Sequence, residues 1–154
     1  RKINFLDLID YVVPVVALGQ SIGRWGNFIN REAYGTETNS FLKMEIVENG
    51  ITKYVHPTFL YESIATFCCF IVLVILSKKR KYKGQLFLIY LCGYGLGRCW
   101  IEGLRTDQLK FFGTQIAISQ ILSAVLFLGA ASILLWKAVK AKREKNAQES
   151  IVKD

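Results

Sequence analysis

Apolar residues along the chain gather in long blocks separated by short polar stretches. Four blocks approach the roughly 20 residues that a helix needs to cross a hydrocarbon core at about 1.5 Å per residue. They run from Phe5 to Ile22, Thr58 to Leu76, Gly84 to Leu104 and Thr114 to Trp136. The second and fourth are clean. The first carries Asp7 and Asp10 in its first half and Pro14 in its middle, and the third carries Arg98 and Glu102. A segment in lipid must satisfy its own backbone, which a helix does; the period-two alternation of a barrel is missing. The pattern therefore predicts an all-α integral membrane protein with about four transmembrane helices, forming a single transmembrane domain over residues 1–154.

Residues 36–57 break the pattern. Met44–Val47 and Ile51–Val55 suit short strands, and Asn49-Gly50 between them is a strong two-residue turn signal. A small hairpin is expected there, with Pro57 in the first turn of the helix that follows.

Composition and charge sharpen this picture. The chain is 52% hydrophobic, more than a soluble domain needs, and its formal net charge is +8. The basic residues collect in KKRKYK (Lys78–Lys83) and KAVKAKREK (Lys137–Lys145), with Arg1 and Lys2 ahead of the first block. Runs that flank apolar blocks speak for membrane lipids and against nucleic acid. Four crossings put all three basic sites on one side, which is the cytoplasm by the positive-inside rule. Residues 36–57 then form an extracytoplasmic loop, Thr106–Gly113 an extracytoplasmic turn, and residues 137–154 a basic cytoplasmic tail. Cys68, Cys69, Cys92 and Cys99 lie inside apolar blocks without metal-ligand spacing, and the chain has one histidine. The cysteines are expected to be small buried hydrophobes. The chain begins at Arg1 with no signal peptide, which suits a processed or a longer protein.

The polar residues near the expected outer ends are the candidate chemistry. Arg98, Glu102 and Arg105 stand at i, i+4 and i+7, within roughly 60° of one another on a helix, and Tyr94 extends the stripe inward. Two readings stay open. Arg98 and Glu102 form a structural ion pair while Arg105 snorkels to lipid phosphate; or the two arginines hold an anion and Glu102 orients them. Gly93 and Gly97 form a small-xxx-small pair, with Gly19, Gly23 and Gly26 as the expected facing surface. GRWGNFINREAYG (Gly23–Gly35) ends the first block. Its Gly23, Gly26 and Gly35 permit tight backbone geometry. Arg24 and Asn27 share a face if the helix persists, which brings a further arginine to the level of Arg98 and Arg105. Asn27 and Asn30 would add neutral hydrogen bonds. His56-Pro57 and Tyr61-Glu62 open the second block, where His56 suits a cap or a site and Glu62 suits the helix dipole or a site. In SQILS (Ser119–Ser123), Gln120 and Ser123 are expected to bond between helices.

These segments together resemble the bacterial prolipoprotein diacylglyceryl transferases. GRWGNFINREAYG is similar to that family's signature. HPTFLYES and GYGLGRCWIEGLRTD resemble two further motifs in the same order, and SQILS matches the helix after them. The resemblance implies a multi-pass enzyme of the bacterial cytoplasmic (inner) membrane with its active site on the extracytoplasmic side. Its reaction transfers the diacylglyceryl group of phosphatidylglycerol to the lipobox cysteine thiol in the signal peptide of a preprolipoprotein. A thioether forms and glycerol phosphate leaves; no cofactor, metal or nucleotide is implied. By the same resemblance Arg98, Arg24 and Glu102 are catalytic. Arg24 also binds substrate, together with Asn27, Asn30, Glu32, Gly35, His56, Glu62 and Arg105. Family members are longer, with about seven spans, so the chain is expected to be a C-terminal portion without the histidine-glycine motif that supplies the base. Within it His56, Glu32 and Glu62 are the residues that could take that role. The residues alone also allow a non-catalytic anionic-phospholipid-binding module or a transporter fragment, although no internal repeat is evident.

Overall fold

A computed structural model of the chain describes residues 4–48, 50–103 and 117–151. In chain order its elements are α1 (Phe5–Asn30), β1 (Met44–Glu48), β2 (Ile51–Val55), α2 (Thr58–Ser77), α3 (Gln85–Glu102) and α4 (Ile118–Ile151). The chain is an all-α multi-pass membrane protein with one small hairpin. Among the described residues α1, α2 and the Ile118–Asn146 stretch of α4 are long and apolar enough to cross a membrane. The third block folds as an 18-residue helix whose last turns hold Arg98 and Glu102.

The first block is a longer helix than its sequence predicts, because its two acids are not left facing lipid. Asn4 caps α1 by accepting the Leu6 N–H at 3.0 Å. Asp10 is 1% exposed. Its Oδ2 accepts the Gly84 N–H at 2.8 Å and its Oδ1 the Phe87 N–H at 3.0 Å, while Arg80 donates to Oδ2 at 3.2 Å. Gly84 is the N-cap of α3, in the left-handed region at φ 82° and without a side chain to offer. A carboxylate of α1 therefore supplies the cap that α3 lacks. Asp7 takes the other face of Arg80 and the ammonium of Lys83, each at 2.8 Å. Pro14 removes one backbone bond, and the helix continues past Ile22 to Asn30. It closes on Arg31 at φ 53°.

The strands pair antiparallel with Glu48 opposite Ile51, so the turn is the two-residue one expected; Gly50 takes φ 79°, and Asn49 lies outside the described residues. Met44, Ile46 and Val55 press against Phe59, which seats the hairpin on the start of α2. Pro57 is the N-cap of α2 rather than a residue of its first turn.

The helices meet around Val13 and Ala17 of α1, Leu73 of α2 and Leu86 of α3. Three glycines of α3 set its approach to the others. A Cβ on Gly95 would lie 2.8 Å from the Ser123 carbonyl of α4, one on Gly93 3.1 Å from Cys69 Sγ, and one on Gly97 3.7 Å from Ala65. The facing surface of the Gly93/Gly97 pair is thus α2, not the expected Gly19, Gly23 and Gly26, which have nothing within 4 Å. The cysteines also depart from expectation. Cys69, Cys92 and Cys99 are half-buried and Cys68 is exposed, because α2 turns that side away from the other helices. Finally, α4 does not stop at Trp136: it runs unbroken through the basic tail to Ile151.

Candidate active site at the ends of four helices

Four helix ends come together where the polar motifs were expected to meet. Arg24 comes from the last turns of α1, Glu62 from the second turn of α2, Arg98 and Glu102 from the end of α3, and Ser119 from the start of α4. Their alternating directions put two C-termini and two N-termini at one level.

Glu62 is the hub. Its Oε2 lies 2.6 Å from Arg24 Nε and its Oε1 3.1 Å from Arg98 Nη1. Arg98 reaches Glu102 Oε2 through Nη2 at 3.0 Å, and Ser119 Oγ donates to Glu102 Oε1 at 2.7 Å. The chain of contacts ties all four helices: α1 to α2 to α3 to α4. The side chains of Glu62 and Glu102 are 7% and 5% exposed, against 24% and 18% for Arg24 and Arg98. The carboxylates are therefore the buried supports and the guanidiniums the accessible groups. Contact through Nε leaves the two terminal nitrogens of Arg24 for another acceptor.

Local sequence explains why these side chains meet. Ser21 and Ser63 clasp α1 to α2: each hydroxyl donates to the other's backbone carbonyl at 2.9 Å. Arg24 is one turn along from Ser21 and Glu62 adjoins Ser63, so the clasp fixes the register that opposes them. Trp25, Phe28 and Phe59 pack together, with Phe28 and Phe59 ring centroids 4.9 Å apart, and hold the end of α1 against α2. Gln120 donates to the Cys99 carbonyl at 3.1 Å and anchors the start of α4 on α3. Gln120 thus bonds between helices as expected; Ser123, for which the same is expected, donates instead within its own helix, to the Ser119 carbonyl at 2.7 Å, and Ser119 makes the further interhelical bond. Below Arg98 and Glu62 a narrow cleft of about 20 Å³ descends between α2 and α3, past Ala65, Cys69, Gly93 and Tyr94.

The remaining candidates are arranged around the cluster and not in it. Asn27 is half-buried, and its carbonyl accepts the Glu32 N–H at 3.0 Å in the closing turn of α1. Asn30 and Glu32 are exposed and bond one another at 3.3 Å. Gly35 is buried, with its N–H on the His56 carbonyl at 2.9 Å, and His56 Nδ1 lies 3.2 Å from Tyr61 Oη. These contacts make the opening motif a strap from α1 to α2, secured where Thr58 Oγ1 donates to the Ala33 carbonyl. The tight geometry falls on Arg31 and Ala33, at φ 53° and 55°, and not on Gly23 or Gly26, which are inside α1. Arg105 lies outside the described residues. Two roles had weak signals in sequence. Glu62 reads there either as a dipole partner or as a site residue, and Ser21 and Ser63 are small polar residues that only spatial neighbours make specific.

Fold and site define a multi-pass helical membrane protein that fixes arginines on buried carboxylates at one end of its bundle. The chain belongs to the prolipoprotein diacylglyceryl transferase family, whose sequence profile matches residues 1–136. It is 44% identical over 145 residues to a phosphatidylglycerol–prolipoprotein diacylglyceryl transferase of Finegoldia magna, covering 94% of this chain and 54% of that protein. The enzymes of the same name from Clostridium novyi and Bacillus licheniformis are 43% and 40% identical, over 92% and 97% of this chain and 57% and 58% of their own lengths. The chain therefore spans little more than half the length of these relatives.

Proposed function

We propose that the protein transfers the diacylglyceryl group of phosphatidylglycerol to the lipobox cysteine thiol of a preprolipoprotein, in the bacterial cytoplasmic membrane. The site would face the extracytoplasmic side, with four crossings and the basic runs at Lys78–Lys83 and Lys137–Lys145 inside. One observation carries this reading: Arg24 and Arg98, from separate helices, are fixed 2.6 and 3.1 Å from the two oxygens of one buried carboxylate. The names of the relatives supply the substrates.

In that reaction the thiolate attacks a glycerol carbon, a C–S bond forms, and the C–O bond to glycerol phosphate breaks. Negative charge grows on the leaving phosphate. Two guanidiniums whose positions are already set stabilise it without reorganising at the moment of reaction. Glu62 and Glu102 are positioning residues, and a thiol near two fixed cations is favoured as thiolate, the nucleophilic form.

Arg24→Ala and Arg98→Ala in the full-length protein test this. Each should lower lipidation of a preprolipoprotein in phosphatidylglycerol vesicles by about 10²–10³-fold, the scale for losing one preorganised donor. Undiminished turnover in both variants overturns the proposal. Transport of lipid or solute across vesicles without any lipidation would favour a transporter instead.

A further inference from the structure

At the opposite end of the bundle α4 passes from apolar to basic at Trp136–Lys137 and stays helical. Its Leu134, Ala138, Ala141, Lys142 and Lys145 therefore share one face. That face and the loop between α2 and α3 enclose an open groove of about 660 Å³, to which the loop side adds Lys81, Tyr82 and Gln85. We propose that this groove binds the phosphate headgroup of an anionic phospholipid, in the leaflet opposite the arginine cluster.

The basic runs are not used alike. Arg80 and Lys83 are held by Asp7 and Asp10 of α1. Lys81, between them, takes no carboxylate among the described residues, and neither does Lys137 or Lys142. Among the described residues no acid lines the groove. Lys137 is fixed with its Nζ 4.0 Å over the Tyr82 ring, and the loop is pinned where Gln85 Oε1 accepts the Lys81 N–H at 2.7 Å. Ammoniums from two elements thus converge at the height where the apolar run ends, above a floor of Leu134, Leu135 and Tyr82. A phospholipid matches both halves, with its phosphate among the lysines and its glycerol and first methylenes on the floor. Inorganic phosphate would match the lysines alone. The site does not depend on the transferase reading.

Tryptophan quenching by lipids with brominated acyl chains tests it. Trp25→Phe, Trp100→Phe and Trp136→Phe remove the three tryptophans of the 154-residue chain, and Tyr82→Trp keeps an aromatic ring under Lys137 while placing a single reporter in the groove. In vesicles mixing phosphatidylcholine and phosphatidylglycerol, brominated phosphatidylglycerol should quench this reporter with a preference of at least about fivefold over brominated phosphatidylcholine, the worth of one surface lysine. Lys81→Gln/Lys137→Gln/Lys142→Gln should abolish the preference and leave quenching by phosphatidylcholine unchanged, which also reports that the helix is still inserted. Lys78→Gln/Lys79→Gln/Lys140→Gln removes the same charge outside the groove and should keep the preference. The proposal is overturned if the parent shows no preference, if the groove variant keeps it, or if the control loses it equally. It is also overturned if millimolar inorganic phosphate displaces the lipid, which would mark a site for free phosphate.

Discussion

Glu62 is the residue on which the site turns. A carboxylate that is 7% exposed carries two guanidiniums, so removing its charge takes the carboxylate partner from Arg24 and one of two from Arg98. Glu62→Gln should cost about 3 kcal/mol in thermal unfolding, the low end for breaking a buried pair. Replacing Arg98 should then be cheaper in that background than in the parent, because one of its two carboxylate partners among the described residues is already gone and only Glu102 remains. Equal costs in both backgrounds would mean that the two side chains are not coupled. Sequence put Arg98 beside Glu102, because i, i+4 spacing on a helix is legible from the chain alone, and brought Arg24 to their level, because it ends the first apolar block. It left Glu62 ambiguous, because what Glu62 does depends on which helices flank α2.

At the scale of elements the glycines of α3 decide how closely helices approach. The 2.8 Å approach of a Gly95 Cβ to a backbone carbonyl leaves nothing flexible to yield, whereas the 3.7 Å approach at Gly97 is ordinary contact. Gly95→Ala should destabilise the chain by about 1–3 kcal/mol, and Gly97→Ala should be far milder. Gly19→Ala, Gly23→Ala and Gly26→Ala meet nothing within 4 Å and should be neutral or stabilise α1, by up to about 1 kcal/mol each. Thermal unfolding of the set checks the order, and a costly Gly23→Ala would show that the face is covered. The hairpin supplies a pH test. Lys53 is held above the ordinary lysine value of 10.5 by its hydrogen bond to Glu48, then by the charges of Glu48 and Glu37. A raised folded-state value means that this contribution is complete below pH 10.5 and fades as pH rises through the folded value. Protease cleavage in the Gly50 turn should therefore speed up above pH 10.5 in the parent, and Lys53→Met should lose that extra rise.

For the whole molecule the decisive contact is at the other end, where Asp10 caps α3. It ties α1 to the basic loop and fixes the height of the helix that carries Arg98 at its far end. Asp10→Ala should cost about 3 kcal/mol by leaving the Gly84 and Phe87 N–H groups without their acceptor and Arg80 with Asp7 alone, while Asp10→Asn, which keeps an acceptor, should cost less. If both variants unfold like the parent, the cap is not what holds α3. In sequence this same aspartate weakened the first block as a membrane segment, since a charge inside an apolar run is costly until its partners are known.

The chain's own pattern determined the helices, the hairpin with its two-residue turn, and that the two basic runs meet at one end of the bundle. Those follow from local physics: the length an apolar run needs to cross lipid, the backbone preference of Asn-Gly, and the repeat of a helix. Tertiary structure alone decided that α3 packs its Gly93 and Gly97 on α2, that Asp10 and Arg80 satisfy each other, and that Glu62 joins Arg24 to Arg98. Each of these is a contact between residues distant in sequence. Its worth comes from removing both partners from solvent together, and no periodicity along a single chain records that.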